Sequence, residues 1–328
     1  MKKTILIMLT LTTIILCSCK KETKNCSGAP TVFAGNDTTL LYSTSLVLNG
    51  ISNANTGEWS IISGEGGVLE KSQNQVRFAG VNRNTYKLMW ESKNDCGTSS
   101  ATLNIAINID CGNDLTISQM VDRVHWLGQS CFRIEGTKYK IYIDPQSITQ
   151  TDAADIILIT HSHSDHFSPT DIDILSNSKT ILIAPADCNY TGTFAKRVVL
   201  TPRQDYTDGC IKIKAVPAYN ITKTQYHPKT NNWVGYLITI NGVTIYHAGD
   251  TERIPEMKSI DCDIAMLPLG QTYTMNTVAD AAESAKDVKA SVAIPMHYGT
   301  LEGTSGDAQT FKTLLNGTID VVIKNREK

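Results

Sequence analysis

The stretch that decides the fold is Asp155-Ile-Ile-Leu-Ile-Thr160, followed directly by His161-Ser-His163-Ser-Asp165-His166. Its first half is a continuous apolar run that ends in a turn, which predicts a buried strand. Its second half places three histidines and one aspartate within six residues of a chain that has seven histidines in all. The alternative is a polar loop with accidental histidines, and the density of the run argues against it.

The spacing within this run suits metal binding. Alternate residues of an extended chain point the same way, so His161 and His163 can converge on one ion. Asp165 and His166 begin the following turn and can face a second ion. Imidazole and carboxylate are ligands that suit zinc, iron or manganese. The sequence therefore predicts two divalent metal ions, with zinc expected and manganese or iron as alternatives.

Outward from this run, apolar segments alternate with amphipathic helical patterns, which is typical of an α/β domain. We predict further strands at residues 139–143, 180–183, 211–216, 236–240, 243–246, 263–267, 292–294 and 319–323. We predict helices at residues 169–175, 277–287 and 307–315. Asp250 and His297 each follow one of the apolar runs, so both are expected at strand ends beside the histidine run.

These pieces resemble a known superfamily. The pattern His161-x-His163-x-Asp165-His166 is the signature of the metallo-β-lactamase superfamily, and this half of the chain is similar to the branch of metal-dependent hydrolases related to ascorbate-6-phosphate lactonase. The other matching segments are Trp126-Leu-Gly-Gln-Ser-Cys-Phe132, Ile143-Asp-Pro145, Val216-Pro-Ala-Tyr-Asn220, Ile245-Tyr-His-Ala-Gly-Asp-Thr251, Leu267-Pro-Leu-Gly270 with Tyr273-Thr-Met275, and Ile294-Pro-Met-His-Tyr298. The resemblance implies an αββα sandwich over residues 117–328, with metal ions in a groove at the sheet edges.

The resemblance also implies roles for single residues. His161 and His163 would bind the first metal, and Asp165 and His166 the second. Asp250 resembles the carboxylate that bridges both metals, and His297 resembles the last ligand of the second.

The chain departs from the family pattern at two positions. Asn220 stands where the family has the third histidine of the first metal, and an amide is a poor zinc ligand. His227, seven residues later, could fold back to supply the imidazole, or it could be a surface-loop histidine beside a weakly held or absent ion. Gln129 stands where many relatives have histidine, which could alter the support of the site.

Several residues near the motifs are expected to contact substrate or to orient ligands. By analogy Asp144 orients a ligand histidine. His247 is a candidate for contact with ligands or substrate, with a packing role as the alternative. Tyr273, Tyr298 and Lys223 could contact substrate or be structural, and His125 is expected to be structural.

These features predict a metal-dependent hydrolase that acts on a small molecule. A metal pair lowers the pKa of bound water towards neutrality, so hydroxide is available to attack an ester or lactone, an amide or a phosphodiester. Asp165 could orient that water or move its proton. Two alternatives stay open: a non-catalytic metal- or ligand-binding surface lipoprotein, and an adhesion protein whose function lies in its N-terminal domain.

Residues 27–112 have a different texture, rich in Thr, Ser, Asn and Gly with short alternating runs at 45–49, 57–62, 86–90 and 101–107. Such patterning predicts a small antiparallel β-sandwich. The domain is similar to the PKD-like, immunoglobulin-type modules of bacterial surface proteins, which implies a spacer. Trp59 and Trp90 are expected in its core, with a sugar-binding surface as the lesser alternative.

The N-terminus reads as an export signal. A basic start precedes an apolar stretch over residues 5–16, which is too short to span a bilayer. The end of this stretch, Leu16-Cys17-Ser18-Cys19, resembles a bacterial lipobox, which implies a signal at residues 1–18, lipid on Cys19, a tether at residues 19–26 and an anchor in the outer membrane. A plain signal peptide is the alternative.

Composition and cysteines complete the predictions. The net charge of −2 offers no basic field for nucleic acid, and the oligomeric state is left open. Of nine cysteines, seven remain after Cys17 and Cys19, so one thiol should stay free or pair between chains. A disulfide among Cys26, Cys96 and Cys111 is plausible for an exported protein, and Cys131 and Cys262 are expected as buried apolar residues.

Overall fold

The structure is a computed structural model, and it describes residues 27–41, 43–72, 75–149 and 152–327. The predicted signal, tether and lipid attachment at Cys19 lie outside the described residues. Within the described ranges, no helix has the length and apolar character needed to cross a membrane.

The N-terminal region is rich in β-structure. Its sheets have the strand orders β2-β9-β8-β5, β3-β7-β6 and β1-β4, with the bounds β1 Val32–Phe33, β2 Thr38–Leu40, β3 Ser45–Leu48, β4 Ile51–Ser52, β5 Glu58–Ser63, β6 Val68–Lys71, β7 Val76–Ala79, β8 Asn84–Asn94 and β9 Gly97–Ile107. Buried side chains of β7, β8 and β9, among them Phe78, Tyr86 and Ile105, form its core. Trp59 is buried there and Trp90 packs against it, as expected of core aromatics.

The C-terminal region contains two larger sheets. The first has the order β10-β11-β12-β13-β14-β15, parallel from β12 onward. The elements of this half are α1 Ile117–Asp122, β10 Val124–Gly128, β11 Cys131–Glu135, β12 Lys140–Ile143, β13 Ile156–Leu158, α2 Pro169–Leu175, β14 Ile181–Ala184 and β15 Lys196–Val199.

The second sheet has the order β16-β17-β18-β19-β20-β21-β22, antiparallel up to β19 and parallel from there on. Its elements are β16 Asp205–Asp208, β17 Ile211–Pro217, a 3-10 turn Lys229–Asn231, β18 Val234–Ile240, β19 Val243–His247, a 3-10 turn Pro255–Ser259, β20 Ile264–Pro268, α3 Val278–Asp287, β21 Val292–Met296, α4 Ser305–Leu315 and β22 Asp320–Val321.

Alternation along the strands produces the layers. In β13, Ile156 and Leu158 join the core shared with the second sheet, whereas Ile157 joins a separate core with Ile172 and Leu175 of α2. Helices α3 and α4 cover the outer face of the second sheet through residues such as Ala281 and Phe311. The predicted αββα sandwich is therefore confirmed.

The helices begin where side chains can cap them. Ser168 accepts a hydrogen bond from the Asp171 backbone N–H, and Pro169 occupies the first turn of α2. Thr277 caps α3 in the same way. Thr304 and Asp307 form a reciprocal capping box at the start of α4. Because Ser168 comes two residues after His166, the cap of α2 also fixes where the histidine run ends.

The predicted strands match the observed ones closely, except that residues 319–323 form only the two-residue strand β22. From α1 onward, the sequence did not predict α1, β11, β15 or β16. Strand β11 lies inside the first sheet, whereas β15 and β16 lie at sheet edges, and the residues of these two edge strands are mostly exposed or half-buried. An edge strand without a buried apolar face leaves little pattern in the sequence.

Two of the cysteines expected in disulfides are bonded. Cys96 is disulfide-bonded, and Cys111 is bonded to Cys210, in the turn between β16 and β17. The pairing could not be read from the sequence because it joins residues 99 positions apart. Cys131, Cys188 and Cys262 are free and buried, which agrees with the apolar role expected of Cys131 and Cys262.

Candidate metal centre

The predicted site residues gather at one edge of the sandwich. Asp144 follows β12, the histidine run follows β13, Asn220 follows β17, Asp250 follows β19 and His297 follows β21. These strands run in the same direction within their sheets, so their carboxyl ends lie on the same side. Such edges are the usual place for ligand sites in open α/β sheets.

The first group comprises His161, His163 and His227, whose nearest ligand atoms all lie within 4.8 Å of one another. His161 Nε2 and His163 Nδ1 are 3.1 Å apart. The rings of His161 and His227 meet edge to face with centroids 5.2 Å apart. Three imidazole nitrogens therefore converge on one point.

The geometry around Asn220 decides between the two readings of His227. The His227 side chain is buried, with 2% of its surface exposed, so it is not a surface-loop histidine. The Asn220 backbone N–H donates to the His227 carbonyl at 2.8 Å, which closes the loop and brings His227 back to the cluster. Asn220 thus lies behind His227 and supports it.

The second group comprises Asp165, His166, Asp250 and His297, again with ligand atoms within 4.8 Å of one another. Asp250 Oδ2 lies 3.0 Å from His297 Nε2 and 3.3 Å from His166 Nε2. The same oxygen lies 3.4 Å from His227 Nε2 in the first group. Asp250 is therefore placed between the two groups, where a bridging carboxylate would stand.

Several buried atoms in these groups have no hydrogen-bond partner, namely Nε2 of His166 and His227, both ring nitrogens of His297 and Oδ1 of Asp250. Buried polar atoms are nearly always paired, so such a concentration needs an explanation. Cations bound by the two groups would satisfy the Nε2 and Oδ1 atoms, whereas His297 Nδ1 lies 2.8 Å from the Glu302 carboxylate. The donor set, imidazole nitrogen with carboxylate oxygen, is also one that divalent transition metals accept. The residues therefore fit a metal centre, and the cluster is able to bind metal.

For three of the histidines, hydrogen bonds behind the cluster fix which ring nitrogen faces it. His166 Nδ1 donates to Asp144 Oδ2 at 2.7 Å. Thr160 Oγ1 donates to the same carboxylate at 2.7 Å and accepts from His161 Nδ1 at 2.9 Å. His227 Nδ1 donates to the Tyr273 carbonyl oxygen at 3.1 Å. Each partner leaves an Nε2 lone pair directed at the cluster, as metal-binding histidines require.

Gln129 lies beside the site, as expected. Its side-chain Nε2 donates to Asp165 Oδ2 at 3.2 Å, and its backbone carbonyl oxygen accepts from the His297 backbone N–H at 3.0 Å. An amide at this position therefore contacts residues of the second group in place of an imidazole.

Burial and neighbouring charges together set the pKa values of the side chains in the two ligand groups. Burial, reinforced by repulsion from His166, holds the pKa of His161 well below its ordinary value. Burial alone would raise the pKa of Asp250, but attraction to His166 and His297 outweighs it and the pKa lies well below the ordinary value. Neutral His161 and ionised Asp250 are the forms that bind metal. Burial lowers the pKa of His297, but the charge of Asp250 overcomes it and raises the pKa to about 9.

Three important residues were not identified from the sequence. Trp233 packs its ring against His161 and His163, with centroids 4.9 and 4.8 Å away. Glu252 accepts from the backbone N–H groups of Ile221, Thr222 and Lys223, which lie in the loop that leads to His227. Glu302 lies 2.8 Å from His297 Nδ1. Their roles depend on loop packing, which has no signature spacing.

A cavity of about 220 Å³ opens onto the cluster and is lined by His163, Asp165, Tyr226, His227, Asp250, Tyr273, His297 and Leu301. Tyr273 is thus placed where substrate contact was expected. Lys223 is used structurally, since its Nζ donates to the Gln271 and Met275 carbonyls at 3.2 and 2.9 Å.

Two residues considered for substrate contact, His247 and Tyr298, do not line this cavity. His247 Nε2 is bonded to the Ser130 carbonyl at 2.9 Å and its ring packs on Phe132. Tyr298 stacks on Trp126. Both have the packing role that was the alternative for each. His125 pairs with Glu327, in keeping with a structural role.

The αββα sandwich and the His/Asp cluster at its edge define a metal-dependent hydrolase of the metallo-β-lactamase fold. The family model described as the beta-lactamase superfamily domain matches residues 123–297. The chain belongs to this family, among the UPF0173 metal-dependent hydrolases.

Relatives support this assignment. The UPF0173 metal-dependent hydrolase of Thermococcus kodakarensis is 35% identical over 219 residues, which is 61% of this chain and 95% of that protein. The corresponding protein of Pyrococcus horikoshii is 34% identical over 220 residues, with the same coverage. A crystal structure named as a metal-dependent hydrolase of Parabacteroides distasonis is similar with a TM-score of 0.55 and 36% identity, covering 62% of this chain and 93% of that one.

Proposed function

We propose that this hydrolase holds two divalent metal ions, with zinc as the native metal, and cleaves an uncharged ester or lactone. The observation that carries the proposal is the pair of ligand groups joined by Asp250, each with buried unpartnered atoms. Zinc is favoured because the two groups offer three and four imidazole and carboxylate ligands, the numbers that tetrahedral zinc sites use. Manganese or iron would also accept these ligands.

Metal ions in these groups would supply Lewis acidity and a water of lowered pKa. The chain's own residues supply orientation and proton transfer. Asp165 has a side chain 20% exposed, against 3% for Asp250, so it is the carboxylate that an incoming water can reach. Gln129 and His166 both lie at Asp165 Oδ2, and we therefore assign Oδ1 to take the proton of the attacking water. Asp250 holds the two groups at a fixed separation.

The cavity lining favours an uncharged substrate. The rings of Tyr226 and Tyr273 meet edge to face at 4.9 Å, and Leu301 adds an exposed aliphatic wall. Among the described residues that line the cavity, none is a lysine or arginine. A phosphodiester, or the phosphate of a sugar-phosphate lactone, would lack a cationic side chain there, whereas a neutral ester or lactone needs none.

The test is metal content and hydrolysis measured on the same purified chain. We expect two ions per chain and turnover of neutral lactones or esters that exceeds turnover of amides and phosphodiesters. Asp165→Asn should abolish turnover, and His125→Gln, which lies outside the site, should leave it unchanged. Two bound ions without turnover of any class would favour the non-catalytic metal-binding alternative. Faster cleavage of a phosphodiester would overturn the substrate assignment.

We further propose that the chain is exported and anchored through lipid on Cys19, with residues 27–112 as a PKD-like spacer that holds the hydrolase away from the outer membrane. The lipobox-like residues support the anchor, and the disulfide of Cys111 suits an oxidising compartment. Labelled palmitate should enter the wild-type chain in cells and not the Cys19→Ala variant. Equal labelling of both would exclude the anchor at Cys19.

A further inference from the structure

The backbone of Tyr273 lies between the two ligand groups. Its carbonyl oxygen accepts from His227 Nδ1 at 3.1 Å and from Asn220 Nδ2 at 2.6 Å. Its N–H donates to Glu302 Oε2 at 2.6 Å. One residue is therefore held from one side by a histidine of the first group and from the other by a buried carboxylate.

The other oxygen of that carboxylate reaches the second group. Glu302 Oε1 lies 2.8 Å from His297 Nδ1 and accepts from Thr274 Oγ1 at 2.9 Å. Oε2 also accepts from the Thr272 backbone N–H at 2.8 Å. The Glu302 side chain is 1% exposed. A single carboxylate thus contacts a histidine of the second group and the residue that holds a histidine of the first.

We propose that Glu302 is a positioning residue for both metal groups, acting on His297 directly and on His227 through the backbone of Tyr273. The inference rests on the proposed function in that it requires both groups to bind metal. On the His297 side, the negative charge of Glu302 lies 2.8 Å from Nδ1, which favours the proton on Nδ1 and leaves Nε2 free. On the His227 side, Glu302 holds the backbone of Tyr273. The Tyr273 carbonyl in turn fixes the proton of His227 on Nδ1 and leaves its Nε2 free. Changing Glu302 therefore affects both metal affinities.

Two substitutions of Glu302 separate its effect on His297 from its effect on His227 through Tyr273. In Glu302→Gln, the two backbone donors of Thr272 and Tyr273 fix the amide oxygen on their side, so the amide nitrogen faces His297 Nδ1. His297 must then carry its proton on Nε2, where it cannot bind metal. In Glu302→Met, neither side retains an acceptor. Both variants remove the same negative charge. A difference between them in the metal affinity of the first group therefore isolates the contact with Tyr273.

The experiment is a stepwise titration of the purified chain with Co²⁺, followed by visible absorption, and with Zn²⁺ in competition with a chelator. We expect Glu302→Gln to weaken the second group by about tenfold or more, the usual effect of losing such a partner, and to leave the first group nearly intact. Glu302→Met should weaken both groups to a similar degree. Equal affinity of the first group in the Met and Gln variants would overturn the proposal, as would unchanged affinities in both.

The wild-type chain provides a second test if the Met variant does not fold. Loading of either group should slow hydrogen exchange at the Tyr273 amide, because each ion stiffens one end of the connection. If hydrogen exchange at the Tyr273 amide slows when one group is loaded with metal but not when the other is, the proposal is overturned. A wild type that binds two ions but hydrolyses nothing would contradict the proposed catalysis and leave this inference standing, so the two failures are distinguishable.

Discussion

The side chains of Asn220 and His227 both donate to one atom, the carbonyl oxygen of Tyr273. Asn220 occupies the chain position at which the family resemblance implies histidine, and the imidazole of His227 lies beside those of His161 and His163. His227 stands seven residues further along the chain, and the Asn220 amide supports the loop that brings it back. A motif that lacks a histidine at one position can therefore still bring three imidazoles together.

Removing the relocated imidazole should remove one ion. We expect His227→Ala to lower the metal content of the purified chain from two ions towards one, because the first group keeps only His161 and His163. Metal analysis after dialysis measures this directly, with His125→Gln as the matched control, since that histidine pairs with Glu327 outside the site. Two ions retained by His227→Ala would show that His227 is not a ligand.

The close approach of Gly270 to Glu302 gives a second prediction. A Cβ atom on Gly270 would lie 1.7 Å from Glu302 Oε1, so Gly270→Ala must displace the carboxylate. We expect a loss of about 1–3 kcal/mol in the free energy of unfolding, together with weaker metal binding by the second group.

Gly306→Ala is the control for this substitution. A Cβ on Gly306, in α4, would meet only Thr304 Oγ1 at 3.4 Å, and alanine favours a helix by about 0.5–1 kcal/mol over glycine. In urea unfolding, we therefore expect Gly306→Ala to raise the free energy of unfolding and Gly270→Ala to lower it. A Gly270→Ala variant as stable as wild type would mean that the loop from Gly270 to Thr274 yields easily.

The parts of the site that the sequence predicted share one property. His161, Asp250 and His297 each follow a continuous apolar run, so the strand pattern placed them at one sheet edge before any contact was known. Buried strands such as β13 and β20 were predictable for the same reason. Whether these residues act as ligands stays a prediction until metal is measured.

The parts that escaped prediction depend on contacts that cross the chain. Glu302 meets Thr272 thirty residues away, and Glu252 meets Thr222 at the same separation. Neither glutamate stands in a regular pattern, because a loop clamp requires one carboxylate and several backbone N–H groups rather than a periodic face. The edge strands β15 and β16 escaped because their side chains are not buried.

The disulfide between Cys111 and Cys210 should stabilise the fold without affecting the site. It closes a loop across 99 positions, and such bridges typically contribute about 2–4 kcal/mol. We expect the double variant Cys111→Ser, Cys210→Ser to lose stability of that order in urea unfolding. Metal content should not change, because Cys210 precedes β17 and the site lies beyond its other end. Identical unfolding midpoints would show that the bridge constrains nothing.

Trp233 should report metal binding by its fluorescence. Its ring centroid lies 4.9, 4.8 and 5.6 Å from those of His161, His163 and His227, so an ion in the first group would be among its nearest neighbours. Co²⁺ absorbs visible light and is paramagnetic, and it should quench this indole strongly.

We expect Trp233→Phe to remove most of the quenching by Co²⁺ and Trp90→Phe, in the N-terminal region, to retain it. Phenylalanine at position 233 also loses the hydrogen bond from Trp233 Nε1 to the Asp187 carboxylate, at a cost of about 1.5–3 kcal/mol, so this variant should still fold. Quenching that persists in Trp233→Phe would place the ion away from the first group.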